Sequence, residues 1–154
     1  MKTTLVNFIG YGDWGCRLAA KVQDEGFTIH NLVTNKKEVS INCNNILTRE
    51  DLDKLDWSLP TFIATGPKYH HEILKQSKEK VFVEKPYLLY GQVENELPNK
   101  PYVNYHWYNS LKLKTIKVFL GRDWENLKID FFTTTKVDRG FSTLEDFLPH
   151  VISM

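Results

Sequence analysis

Residues 7–37, NFIGYGDWGCRLAAKVQDEGFTIHNLVTNKK, follow the start of an apolar run and decide the fold. They contain three glycines at the spacing G-x-G-x-x-G, namely Gly10, Gly12 and Gly15. Between a strand and a helix, the first glycine allows a tight turn, the second lets the backbone approach a pyrophosphate, and the third lets helix and strand pack closely. The stretch therefore predicts a βαβ unit with a phosphate site at the helix N-terminus. The alternative is a glycine-rich turn that binds no ligand.

Apolar strands and amphipathic helices alternate beyond this unit. The predicted strands cover residues 5–9, 27–33, 39–41, 61–64, 81–83 and 102–105. The predicted helices cover residues 13–25, a short segment capped by Thr48, a segment that begins at Pro67, and residues 111–120. This alternation predicts an α/β fold, a Rossmann-like, doubly wound parallel sheet over residues 1–121.

The pattern changes after Gly121. Residues 127–135 alternate between apolar and polar side chains, which indicates one long strand with a solvated face. A capping box of Ser142 and Glu145 then begins an apolar helix. We expect residues 122–154 to form a truncated second α/β portion for substrate binding and dimerisation. Its unpartnered apolar faces predict a homo-oligomer.

The composition narrows the class of partner. A net charge of +1 over 154 residues gives no reason to expect a nucleic acid or an anionic membrane as partner. No stretch is long and apolar enough to suggest a membrane span or a signal peptide. The two cysteines, Cys16 and Cys43, match no metal or redox motif, so we expect no metal site and a cytoplasmic location.

The end of the second predicted strand bears on the choice of cofactor. Sites that prefer NAD place an acidic residue here for the ribose 2′-hydroxyl. This chain instead has Thr34, Asn35, Lys36 and Lys37. A hydroxyl, an amide and two cations favour the 2′-phosphate of NADP over NAD. The alternative is that the lysines are solvated loop charges.

Three later stretches carry a family resemblance. ATGPKYHHEIL at 64–74, VFVEKPYLL at 81–89 and EDFLPHVIS at 145–153 follow the glycine turn in order. Together they resemble the Gfo/Idh/MocA family of NAD(P)-dependent oxidoreductases, with its A-T-P-x-x-x-H and E-K-P motifs. Gly66 replaces a frequent proline of the family, and Ser153 replaces an aspartate. The resemblance implies a Rossmann domain followed by an α/β domain.

The resemblance also implies catalytic roles. Lys85 of E-K-P would assist proton transfer, and the Lys85–Pro86 bond would be cis. His150 would reach the substrate hydroxyl, and its side chain would suit proton transfer there because the pKa of a histidine lies close to working pH. Asp146 lies one helical turn earlier and would orient His150. The alternatives are a surface lysine for Lys85 and, for His150, a histidine near a frayed C-terminus.

The implied function is an NAD(P)-dependent oxidoreductase that acts on CH–OH groups of a sugar or sugar nucleotide. The alternative is a family member that binds a dinucleotide without turnover, as a sensor, scaffold or remnant. His70 would reach the nicotinamide ribose or, alternatively, would be an exposed helix histidine. The predicted cofactor-binding residues are Gly10, Gly12, Asp13, Trp14, Gly15, Thr34, Asn35, Lys36, Thr65, Gly66, Pro67, His70, Glu84 and Lys85.

Overall fold

The computed structural model describes residues 4–78, 80–89, 91–92 and 94–104. All of these residues belong to Met1–Asn104, the first of two units into which the chain divides. The predicted boundary near Gly121, the helix at 111–120, the strand at 127–135 and the final helix lie outside the described residues. No helix within the described ranges has the length and apolar character needed to cross a bilayer.

The strands of the described unit are β1 (Thr4–Ile9), β2 (Phe27–Val33), β3 (Asn45–Leu47), β4 (Thr61–Ile63), β5 (Val81–Glu84) and β6 (Tyr102–Asn104). The α-helices are α1 (Asp13–Asp24) and α2 (His70–Gln76). Short 3₁₀ helices cover Arg49–Lys54, Pro67–Tyr69 and Glu94–Glu96. Apart from the third strand, the predicted strands agree with these bounds to within one residue at each end.

The six strands form one parallel sheet in the order β3-β2-β1-β4-β5-β6. This order reverses direction between β1 and β4, as in Rossmann-like folds. The predicted α/β class and the Rossmann-like parallel sheet are therefore confirmed. In such a sheet, ligands bind at the carboxyl ends of the strands, at the point where the order reverses.

Two apolar clusters cover the two faces of the sheet. On one face, Ala19 and Val22 of α1 pack with Val6 and Phe8 of β1. On the other face, Ile9 packs in a cluster with residues of α2 and of the 3₁₀ helix Arg49–Lys54. Successive β1 side chains point to opposite faces, so β1 is buried on both sides. Because α1 packs on one face and α2 on the other, the sheet is doubly wound.

The third strand lies at Asn45–Leu47, so the prediction of a strand at 39–41 was wrong. Val39 and Ile41 lie in an irregular loop and are partly buried against the apolar cluster that contains Ala19 and Val22 of α1. This packing explains why apolar and polar residues alternate there without forming a strand. The true strand pairs with β2, and its Asn45 donates a 3.0 Å hydrogen bond to Asn31. A polar partner rather than apolar alternation thus helps to hold β3 in place.

A buried row of asparagines extends that bond into β1. The fully buried Asn7 accepts a 2.9 Å hydrogen bond from Asn31. Asn7 also donates to the Asp56 carbonyl oxygen at 2.8 Å and to the Thr61 hydroxyl at 3.2 Å. Buried amides are tolerated when their polar atoms are paired. The row joins β1, β2 and β3 side by side and fixes their relative position.

Candidate functional site

The glycine turn between β1 and α1 is shaped by two of its three glycines. Gly10 has φ +99°, and a Cβ added there would lie 2.7 Å from the Ala64 carbonyl carbon. A Cβ on Gly15 would overlap the Gly10 carbonyl oxygen. The predicted roles of these two glycines, a tight turn and a close helix–strand approach, are therefore confirmed.

Gly12 differs from its neighbours because it is needed neither for the turn nor for packing. Its backbone is extended, with φ −71°, and an added Cβ would meet nothing within 4 Å. Gly12 is the N-cap of α1, a helix of 12 residues, and it brings no capping side chain. The first-turn amides of α1 thus have no acceptor from the cap residue, and the positive end of the helix dipole favours an anion here.

A cavity of about 350 Å³ lies beside this turn, at the carboxyl ends of the strands. Its walls are residues 10–12 after β1, residues 34–36 after β2, residues 64–66 after β4, and the side chains of Arg49 and Tyr69. The cavity therefore spans the point where the strand order reverses. Its volume falls in the range of small-ligand and cofactor sites, about 300–1,000 Å³.

Seven predicted cofactor-binding residues line this cavity: Gly10, Gly12, Thr34, Asn35, Lys36, Thr65 and Gly66. Asp13, Trp14 and Gly15 lie in the first turn of α1 and Pro67 begins a 3₁₀ helix, but none of these four lines the cavity. Arg49 and Tyr69 also line the cavity, although neither was predicted from the sequence. The signal for Arg49 is its place two residues after β3, which the wrong position of the third strand concealed.

The Thr65 hydroxyl is a second sign of a ligand. Its oxygen is buried, yet within the described part of the chain it has no hydrogen-bond partner. Such a group costs about 1–3 kcal/mol unless something pairs with it. Thr65 also lines the cavity, so its hydroxyl is a candidate hydrogen-bonding group for a bound molecule.

The loop after β2 carries a cation at the cavity. The Thr34 hydroxyl accepts a 3.0 Å hydrogen bond from the Lys36 amide, which folds the loop into a compact turn. The Lys36 ammonium lies 3.7 Å from Oδ1 of Asp13. This contact is exposed, and exposed ion pairs contribute little to stability. The loop nevertheless holds Lys36 close to the start of α1.

The E-K-P turn follows β5. Glu84 is largely buried and accepts a 2.6 Å hydrogen bond from the Asn104 side chain. The Lys85–Pro86 peptide bond is cis, as expected. Glu84 and the partly exposed Lys85 do not line the 350 Å³ cavity, although they lie at the same edge of the sheet.

His70 has a role that neither expectation described. Its side chain is fully buried, so an exposed helix histidine is wrong. Its Nδ1 lies 2.9 Å from the Pro86 carbonyl oxygen and its Nε2 lies 2.9 Å from the Thr65 carbonyl oxygen. Both ring nitrogens therefore face backbone, and the predicted ribose contact is replaced by a link between the cavity loop and the E-K-P turn.

Burial lowers the pKa of His70, although hydrogen bonds to the Thr65 and Pro86 carbonyls and the charge of Glu84 act in the opposite direction. A neutral imidazole has only one N–H to donate. The ring therefore donates to one carbonyl when neutral and to both when protonated.

The other predicted catalytic residues, His150 and Asp146, lie outside the described residues. Within the described ranges, no cluster of histidine, cysteine or carboxylate side chains is arranged to hold a metal ion. No family model and no curated protein matches the chain.

Proposed function

We propose that this protein binds a dinucleotide, NADP in preference to NAD, and acts as an oxidoreductase on a sugar or sugar nucleotide. The open space at Gly12 carries the proposal. It lies where the N-terminus of α1 meets a cavity, at the point where the strand order reverses. A backbone without a side chain at this point suits the close approach of a pyrophosphate.

The lining residues fit the pyrophosphate and the adenosine ribose of such a cofactor. Gly12 and the first amides of α1 would hold the pyrophosphate, and residues 34–36 would face the adenosine ribose. The Thr65 hydroxyl, buried and without a partner in the described chain, would pair with a polar atom of the cofactor. When bound, the cofactor supplies the hydride chemistry.

The proposed catalytic groups rest on the family resemblance. Membership of the Gfo/Idh/MocA family is part of this proposal, and the E-K-P turn at the carboxyl end of β5 supports it. Lys85 would move a proton at the substrate hydroxyl or carbonyl, and His150, oriented by Asp146, would be the second proton-transfer group. A homo-oligomer in the cytoplasm remains our expectation.

The first test separates binding from folding. Gly12→Ala adds a methyl group where nothing lies within 4 Å, so we expect little change in melting temperature. We expect the same change to weaken NADPH binding about tenfold or more, because it obstructs the approach of a pyrophosphate. Calorimetric titration with NADPH, beside thermal unfolding, measures both. Unchanged NADPH affinity in Gly12→Ala would contradict a pyrophosphate at this turn.

The second test separates turnover from binding. In a screen of sugars and sugar nucleotides, Lys85→Ala should lower kcat about 100-fold or more if Lys85 transfers a proton. Calorimetric titration of Lys85→Ala with NADPH shows whether turnover is lost while the cofactor is still bound. A protein that binds NADPH but turns over no such substrate would favour the second candidate function, dinucleotide binding without turnover.

A further inference from the structure

Arg49 and Tyr69 form a stacked pair in the cavity wall. The guanidinium carbon of Arg49 lies 3.6 Å from the centroid of the Tyr69 ring, within the range of a cation–π contact. Arg49 begins the 3₁₀ helix after β3, and Tyr69 ends the 3₁₀ helix after β4. Two loops from opposite sides of β1 and β2 therefore meet in this pair.

The pair lies close to the loop that faces the adenosine ribose in our proposal. Val33 and Leu47 are partners in the β2–β3 register, and the Thr34 amide donates to the Leu47 carbonyl oxygen at 2.9 Å. Residues 34–36 and Arg49 thus leave neighbouring strands at the same edge, and both line the cavity.

Two cationic side chains line the cavity, Lys36 and Arg49, and they differ in what surrounds them. Lys36 has the Asp13 carboxylate 3.7 Å away, which offsets its charge. Arg49 makes no ion pair with a carboxylate of the described residues and instead lies over a ring. Stacking occupies the face of a guanidinium and leaves the N–H donors at its edges.

Two cationic side chains, Arg49 and Lys68, lie beside the Tyr69 ring. The neighbouring cations Arg49, with the larger effect, and Lys68 lower the pKa of the Tyr69 phenol. The Lys68 ammonium also lies 4.9 Å from the ring centroid. The ring therefore holds positive charge at this wall of the cavity, where an anionic group would be attracted.

We propose that Arg49, positioned by the ring of Tyr69, binds the adenosine 2′-phosphate of NADP and determines the preference for NADP over NAD. This inference rests on the proposed dinucleotide binding. A guanidinium suits the role better than an ammonium, because its fixed N–H groups can bind two phosphate oxygens at once. Lys36 then contributes less than Arg49 to the preference for NADP over NAD.

Adenosine fragments test this role without any enzymatic turnover. Calorimetry would compare adenosine 2′,5′-bisphosphate with adenosine 5′-monophosphate, and NADPH with NADH. In the wild type we expect the 2′-phosphate to tighten binding about 10- to 100-fold, as a charged hydrogen-bonded contact does. Arg49→Ala should remove this factor while changing the affinity for the monophosphate less than about threefold.

Three further variants sharpen the comparison. Arg49→Lys keeps the charge but loses the planar donors, so we expect an intermediate factor. Tyr69→Leu removes the ring and should weaken the factor through Arg49. Lys54→Ala is the matched control, since Lys54 is an exposed cation of the same 3₁₀ helix as Arg49 and does not line the cavity. Lys54→Ala should bind like wild type.

The outcomes distinguish this inference from the function on which it rests. If the wild type binds the dinucleotides and Arg49→Ala keeps the full 2′-phosphate factor, the role of Arg49 is refuted and the proposed function stands. The role of Arg49 is likewise refuted, and the proposed function stands, if Lys36→Ala loses the 2′-phosphate factor and Arg49→Ala keeps it. A wild type that binds neither fragment nor dinucleotide refutes both.

Discussion

At the scale of single residues, opposing effects act on the pKa of His70. Two backbone carbonyls, from Thr65 and Pro86, favour a doubly protonated ring, whereas full burial favours the neutral ring. Burial is the stronger effect, so the pKa of His70 lies below its usual value of 6.5. The neutral ring then keeps a hydrogen bond to only one of the two carbonyls.

This balance predicts a pH dependence of stability with a definite sign. When the folded pKa is depressed, the unfolded state binds more protons, so the free energy of unfolding falls as pH drops below 6.5. His70→Gln removes this titration. We therefore expect the wild type to lose its stability advantage over His70→Gln as the pH falls through 6.5, the ordinary pKa of histidine, and below it. Urea unfolding at a series of pH values measures this difference. An advantage that grows with acidity would show that the folded ring carries the charge.

His70 also shows why residue roles are harder to predict than elements. A histidine in the first turn of a helix gave no sign of burial, because its environment is made by Pro86, 16 residues later. The buried Asn7 was equally hidden inside an apolar strand. Its partners are in β2, in β4 and at Asp56. Contacts of this kind depend on the completed sheet and not on local pattern.

At the scale of elements, the glycine turn was predicted well because the positive φ of Gly10 and the contact of Gly15 with the Gly10 carbonyl are local. Residues 10–15 follow a buried strand and begin a helix, and the spacing of the glycines meets the steric needs of that turn. The third strand was predicted wrongly because two apolar residues at i and i+2 can pack from a loop as well as from a strand. That error also concealed Arg49, which follows the true β3.

The glycine turn predicts that a change from glycine to alanine affects the free energy of unfolding differently at Gly15 and at Gly12. In Gly15→Ala the added Cβ meets the backbone carbonyl of Gly10, which cannot move without separating α1 from β1. We expect the free energy of unfolding to fall by about 1–3 kcal/mol, as for other overpacked sites. Gly12→Ala is the matched control, with open space around the new methyl group. Chemical denaturation measures both, and equal losses would contradict the distinction between a packing glycine and a ligand-facing glycine.

At the scale of the whole molecule, the fold could be predicted because alternation of strands and helices restricts the topology to few choices. The order β3-β2-β1-β4-β5-β6 then determines where a ligand can bind. The homo-oligomer expected from residues 127–135 and the second portion at 122–154 stay predictions, since both concern residues outside the described ranges.

The central claim is that the cavity between the glycine turn, the loop after β2 and the loop after β4 holds a dinucleotide. Calorimetric titration of the full chain with NADPH and with NADH tests it most directly. We predict that NADPH binds in a saturable manner and about tenfold or more tightly than NADH, through a contact to the 2′-phosphate. Absence of binding by either dinucleotide would contradict the account and leave a glycine turn that kept its shape without a ligand.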